Sequence, residues 1–394
     1  MPFFPEAPPA PPVTPADDFH AFREQYRASV PNLEKFAYLN HASVGPLSDW
    51  VRMAADSMNE FQQQADTCVQ DGWFDGWRLA RQRVGELIGA QRDEICLTTN
   101  TYMGALRVFS ALPLGPNDEV VYCSDEFPSL YHALSELRHR GCKLVEARSA
   151  KGDGIVRTSD VLDAMTSHTK LVAISWVNFF HGYRHDLERI GQACKDCGAW
   201  FLIDAIQGLG MLNLDVKTCH VHFVTGQGAK WLCAPLGSGY LYVSHEIPPE
   251  ITPRQEGWFA MELDHLHYTN RDIKPKENAN RFGTGTVALP SAFGLRCACE
   301  VFLEAGPKRA EAAALENAQA IIKAAEISGL PLFSDHELPC AIVSFDLAGR
   351  ETIRGKLDAA NVTYSVREGK LRLSPHWYQT SRELDRVCEV LSTK

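Results

Sequence analysis

The run Trp200-Phe201-Leu202-Ile203 closes on a carboxylate, Asp204. An unbroken apolar run bounded by polar and turn residues predicts a strand buried on both faces, as in a parallel sheet. A carboxylate at its carboxyl end stands where open α/β sheets bind ligands. Gln207 follows, and after a mixed connection comes Phe223-Val-Thr-Gly-Gln-Gly-Ala-Lys230, a lysine in a glycine-rich turn. The apolar strand Tyr240–Val243 is next. The separation of Asp204 and Lys230 holds two strands and a connection, so both side chains can converge on one pocket.

Composition narrows the class. A chain of 394 residues has room for two domains, and 45% hydrophobic with 22% charged residues is the balance of a globular protein. A net charge of −10 opposes nucleic-acid binding. No apolar run approaches the ~20 residues that cross a bilayer. The 12 cysteines are scattered through apolar segments, which predicts a reducing, cytoplasmic setting without disulfides. Cys194 and Cys197 are expected to share a buried helix face. Cys219, His220 and His222 make a poor metal site, because on a strand Cys219 points away from the two histidines; no metal is expected.

A lysine beside a buried aspartate has a chemical use. Pyridoxal phosphate needs a lysine for its Schiff base and an acid to keep its ring nitrogen protonated. The pattern Asp204-x-x-Gln207, then Thr225-Gly-x-Gly-x-Lys230, then an apolar strand resembles the class V aminotransferase family of fold-type I pyridoxal-phosphate enzymes. The resemblance implies that Asp204 pairs with the ring nitrogen, Gln207 lies near the ring hydroxyl and Lys230 carries the cofactor. Many relatives have histidine where Ala229 stands, and Gln227 takes the place of a common phosphate-binding serine.

Further stretches carry the same resemblance. Residues 1–18, rich in proline, are expected as an extended arm. Tyr38-Leu-Asn-His-Ala-Ser-Val-Gly-Pro is similar to the family's opening motif, which implies Asn40, His41 and Ala42 beside the substrate. A strand, then Thr98-Thr-Asn-Thr-Tyr, then an apolar helix predicts backbone N–H groups gathered at a helix N-terminus, a cradle for phosphate. The resemblance puts Thr101 and Tyr102 there. It also implies Phe127 on the cofactor ring face and Asn178 on the ring hydroxyl. Thr286 is implied to reach the phosphate of a neighbouring subunit, hence a homodimer. Arg372, in Leu-Arg-Leu-Ser-Pro-His-Trp-Tyr-Gln-Thr, is implied to clamp the substrate carboxylate.

The expected architecture is α/β of the aspartate aminotransferase type: a mainly parallel sheet flanked by helices over residues 19–289, then a smaller α+β domain over 290–394. The first helix and strand are expected to pack on the smaller domain. Between Asn361 and Arg372 no cysteine occurs, which sets the chain apart from persulfide-forming cysteine desulfurases. The compact ending is closest to the isopenicillin N epimerase group, which includes lyases. An amino-acid lyase or epimerase is therefore expected, acting by α-deprotonation. The alternatives are an aminotransferase, a kynureninase-like hydrolase, a desulfurase and a cofactor-binding protein without activity.

Overall fold

Seven strands form the main sheet of the computed structural model, which describes residues 18–64, 70–262 and 269–393. Of the expected arm, residues 1–18, all but Asp18 lie outside them, and Asp18 caps helix Phe19–Ala28. In chain order a short strand β1 (Ala37–Tyr38), outside that sheet, precedes its seven strands, β2 (Ile95–Thr98), β3 (Glu119–Cys123), β4 (Lys143–Ala147), β5 (Thr169–Ser175), β6 (Trp200–Asp204), β7 (Phe223–Gln227) and β8 (Gly239–Val243). Four short strands follow, β9 (Val343–Asp346), β10 (Val362–Thr363), β11 (Ser365–Arg367) and β12 (Lys370–Leu373). The large sheet runs β2-β8-β7-β6-β5-β3-β4. From β7 to β4 its neighbours are parallel, and β8 is antiparallel to both β7 and β2.

The apolar runs become the sheet's centre because helices cover both faces. Phe201, Leu202 and Ile203 on β6 have no exposed surface. Each such side chain contributes roughly 1.5–3 kcal/mol relative to exposure. Phe201 and Ile203 join one core cluster and Leu202 the other, the alternation that a strand imposes. Helix Leu187–Cys197 illustrates the local code. Asp186 accepts from the Arg189 N–H at its start, and Gly198 closes it at φ +70°. Leu187, Ile190 and Cys194 are buried, whereas Cys197, expected on the same buried face, is half-buried. Cys219 and His220 sit in a turn before β7 instead of on a strand.

The chain after Ala305 builds a second, smaller layer. Its sheet β11-β12-β9 is antiparallel and packs with helices Pro307–Ser328, Thr352–Ala359 and Ser381–Ser392. The chain's beginning joins it: β1 pairs in parallel with β10, and Asn40 bridges to Ser374. Helix Phe19–Ala28 puts Phe22 and Tyr26 against Trp377, and Arg27 pairs with Glu383 at 2.7 Å. Helix Leu289–Ala305 packs instead on helices Asp49–Gln63 and Gln70–Ile88. Among the described residues no helix is long and apolar enough to cross a membrane.

Strand order sets the position of the pocket. β5 lies between β3 and β6 while β4 lies outside β3. The order therefore reverses at β3 and β5, and a crevice opens beyond their carboxyl ends. Asp125 and Glu126 follow β3, Ser175 ends β5, and Asp204 ends β6.

Candidate active site

Asp204 is 1% exposed. One of its oxygens, Oδ1, accepts from the Ile206 N–H at 2.9 Å; the other, Oδ2, is buried without a partner. A buried acceptor with nothing bonded is costly unless a donor comes to it. Burial raises the carboxyl above its ordinary range, opposed by the Ile206 bond and the charge of Lys230.

Lys230 stands in the turn after β7, and that turn is pinned from three sides. The Gly45 N–H donates to the Ala229 carbonyl at 2.9 Å, and His376 Nε2 donates to the Trp231 carbonyl at 2.7 Å. The Trp231 indole donates to Gln207 at 2.9 Å, and Gln207 donates to the Ala42 carbonyl at 3.0 Å. A Cβ at position 45 would lie 2.1 Å from the Lys230 carbonyl oxygen, so only glycine lets the two backbones meet. The Lys230 ammonium lies 5.4 Å from the centre of the Phe127 ring. Burial lowers it below the ordinary lysine range; Asp204 opposes the shift, and Arg372 and Arg367 add to it.

Phosphate chemistry suits the end of β2. Asn100 caps helix Thr101–Ala111 by accepting from the Met103 N–H at 2.9 Å. Thr101 is buried; its carbonyl accepts from Thr225 at 2.9 Å while its own hydroxyl has no partner. Tyr102 lies exposed beside it, and Gln227 is half-buried at the end of β7. Two orphaned buried oxygens, one on Asp204 and one on Thr101, fit a group with an N–H at one end and an anion at the other. Thr286 is exposed in the irregular segment before helix Leu289–Ala305.

Arg372 is 2% exposed, with each of its three nitrogens donating to the protein. Its Nε donates to Ser365 at 3.1 Å, its Nη2 to the Ser43 hydroxyl at 2.6 Å and its Nη1 to the Phe179 carbonyl. Burial, with the charge of Arg367, lowers the guanidinium to about 10, which leaves it charged at neutral pH. Asn40 accepts from the Ser43 hydroxyl at 2.8 Å, so it steadies the group that contacts Arg372.

Several expected substrate or cofactor neighbours have other work. His41 is fully buried, with Nδ1 against the Ser374 carbonyl and Nε2 against the Tyr378 hydroxyl. Neither ring nitrogen is left for a substrate, and burial holds the ring neutral, well below the ordinary histidine range. The Ala42 N–H donates to Ser374, and its carbonyl accepts from Gln207. Gln207 is thereby held between Ala42 and Trp231, with one amide N–H still unused. Asn178 holds its own loop: it donates to the Asp125 carbonyl at 2.9 Å and accepts from the Phe180 and His181 N–H groups. That loop presents the Phe179 carbonyl to Arg372.

Two contributors escaped the sequence reading. Ser43 bonds Arg372, although it lies in the opening motif already singled out. Glu126 accepts from the Ser175 N–H at 2.7 Å and hydroxyl at 2.6 Å. Ser175 is the residue paired with Asp204 across β5 and β6. Burial raises the Glu126 carboxyl to about 8, with Asp125 and Asp204 adding to the shift against the Ser175 bonds.

Known proteins share this fold. The architecture is that of the fold-type I pyridoxal-phosphate enzymes. The apo cysteine desulfurase of Thermococcus onnurineus NA1 superposes with a TM-score of 0.81, covering 94% of this chain and 97% of its own at 23% identity. The cystine C–S lyase C-DES in complex with its reaction product cysteine persulfide gives 0.82, covering 92% and 99% at 20% identity. At these identities the likeness establishes the fold. The profile described as Aminotransferase class-V matches residues 70–385, and the chain belongs to that family. It is a pyridoxal-phosphate-dependent enzyme. Relatives include a probable cysteine desulfurase of Methanothermobacter thermautotrophicus, 25% identical over 93% of this chain and 97% of its own length. An uncharacterized aminotransferase of Bacillus subtilis, YcbU, is 25% identical over 94% and 98%.

Proposed function

We propose that this enzyme acts at the α-carbon of an amino acid, with Arg372 holding the α-carboxylate and Lys230 moving the α-proton, and that elimination of a β-substituent follows. The observation that carries the reading is the convergence of Asp204, Lys230 and Arg372. Lys230, in the β7 turn, feels the charge of both Asp204 at the end of β6 and Arg372 on β12, and burial shifts all three groups. Pyridoxal phosphate, when bound, supplies an electron-accepting ring that stabilises negative charge at the substrate α-carbon.

The residues divide the work. Asp204 offers its orphaned Oδ2 to the ring nitrogen, and Thr101 offers its orphaned hydroxyl and helix N-terminus to the phosphate. Phe127 lies where it covers a flat ring beside Lys230. Lys230 carries the cofactor; as a free amine it is a better base at neutral pH than an ordinary lysine, because burial and two arginines disfavour its proton. The pinned turn keeps that amine at one place. Arg372 sets the substrate's orientation by a fork of fixed geometry.

Elimination is favoured over protein-bound persulfide chemistry by the hairpin β11–β12. Its turn, Glu368-Gly369, is tight, with φ +45° and +75°, and no cysteine lies between Asn361 and Arg372. Cys123 and Cys233 are buried, with thiols raised by burial. One relative is named a probable cysteine desulfurase, and the fold is shared by a cysteine desulfurase and by C-DES, a cystine C–S lyase whose reaction product is cysteine persulfide. Borohydride reduction followed by peptide mapping tests the lysine: the pyridoxyl label belongs on Lys230, and a label elsewhere refutes the assignment. Incubation with L- and D-amino acids then separates the readings. Release of a 2-oxo acid with ammonia supports the lyase, inversion the epimerase, and amino-group transfer to a 2-oxo acid the aminotransferase.

A homodimer belongs to the same reading. Its support is Thr286, exposed beside Gly285, with Leu236 and Trp258 left exposed on adjoining segments. Sedimentation is expected to give a dimer; a fully active monomer overturns it.

A further inference from the structure

The hairpin β11–β12 places a second arginine beside the first. Ser365 is registered opposite Arg372 and bonded to it, so the two share the face turned to the pocket. Arg367 stands two residues from Ser365 on the same strand, hence on the same face, about 7 Å further along. Lys370, registered opposite Arg367, shares that face but is neutralised by Asp346 at 2.6 Å. Arg367 is exposed; its hydrogen bond goes to the neighbouring Val366 carbonyl, and it makes no ion pair among the described residues. Its charge reaches both Lys230 and Arg372.

The balance of charge around the pocket is therefore uneven. Arg367 and Arg372 are cationic, whereas the acidic groups Asp204 and Glu126 lie deep and already accept from backbone or serine donors. An α-carboxylate answers Arg372 alone. Arg367 is then left with its fork open at the rim, where it can meet an anionic group on the far end of a substrate side chain.

We propose that Arg367 is a specificity residue that selects amino acids carrying a second, distal acidic group. The pair Arg372 and Arg367 reads the α-carboxylate and that group together, a dicarboxylic pattern. This rests on the role given above to Arg372, and the experiment is built so that the two can fail separately.

The probes are glutarate and glutaramate, which have the same length and differ by one carboxylate replaced with an amide. Each is titrated into the cofactor-loaded enzyme by calorimetry, so that binding is read without turnover. Wild type should bind glutarate at least ~10-fold more tightly than glutaramate, about the value of one charge-assisted pair. Arg367→Ala should bring the two within ~2-fold by weakening glutarate alone, and Arg367→Lys should keep part of the preference. Because Arg367 is exposed, its variants should melt with wild type. Equal binding of both acids by wild type, no detectable glutarate binding, or an equal loss for both in Arg367→Ala overturns the proposal. Arg372→Ala should weaken both acids. If glutaramate is indifferent to that change, the role of Arg372 fails instead.

Discussion

Replacing Arg372 with lysine keeps a positive charge at the site and removes the fork. The guanidinium now directs three donors along separate lines, to Ser365, the Phe179 carbonyl and Ser43. Nη1 and Nη2 are the terminal pair, and each keeps a second N–H beyond the one it uses here, so the fork can still take a substrate carboxylate. A lysine ammonium gathers its donors at one point on a longer, jointed stem. It can meet the carboxylate or brace the hairpin, but not both. Loss of two bonds from a charged donor, each about 1.5–3 kcal/mol, partly offset by one retained contact, leaves a deficit of about 2–4 kcal/mol. That corresponds to a fall of roughly 30- to 1,000-fold in kcat/KM. The assay compares the best amino acid of a panel with its decarboxylated amine, in wild type and Arg372→Lys. The amine should be a poor substrate and almost indifferent to the change, and cofactor content should be equal in both proteins. A fall below 3-fold with the amino acid, at full cofactor content, refutes the assignment.

Two further outcomes follow from the same region. Glu126 has a folded-state pKa raised to about 8 from an ordinary 4.5, so its contribution to stability is complete below about 4.5 and is lost as pH rises through 8. The cofactor-free protein should lose melting temperature across that window, and Glu126→Gln should flatten the profile; an unchanged slope refutes burial as the cause. Gly45→Ala drives a Cβ into the Lys230 carbonyl at 2.1 Å. The turn must shift, which costs on the order of 1–3 kcal/mol and should lower cofactor occupancy, read by absorbance; an unaltered melting curve and full occupancy count against a tight contact.

Much of the fold was legible because the relevant signals are local. The run 200–203, the cap pair Asp186 and Gly198, and the Thr-Asn segment before helix Thr101–Ala111 each declare their structure within a few residues. Asp204 and Lys230 were legible for the same reason, as chemistry attached to strand ends. The fates of His41, Ala42 and Gln207 were not. Each is decided by a partner far along the chain, Ser374 and Tyr378 for His41, and Trp231 for Gln207. A polar residue in a motif looks the same whether its donors face a ligand or a neighbour. Glu126 escaped for a related reason: its pKa depends on burial and on Ser175, neither of which its flanking residues reveal.

The pairing of β1 with β10 has a consequence for biosynthesis. Ala37 and Tyr38 leave the ribosome long before the strand they need, Val362–Thr363. The same delay holds for His41 and Ala42, which wait for Ser374 and Tyr378. The parallel strands β3 to β7 can assemble while the opening segment still lacks its partners on the smaller layer. Helix Phe19–Ala28 keeps Phe22 and Tyr26 without their aromatic partner Trp377 throughout that interval. A nascent chain halted before Val362 would therefore hold a nearly complete main sheet together with an adhesive leading end. Such a species is a natural client for chaperones and a ready seed for aggregation.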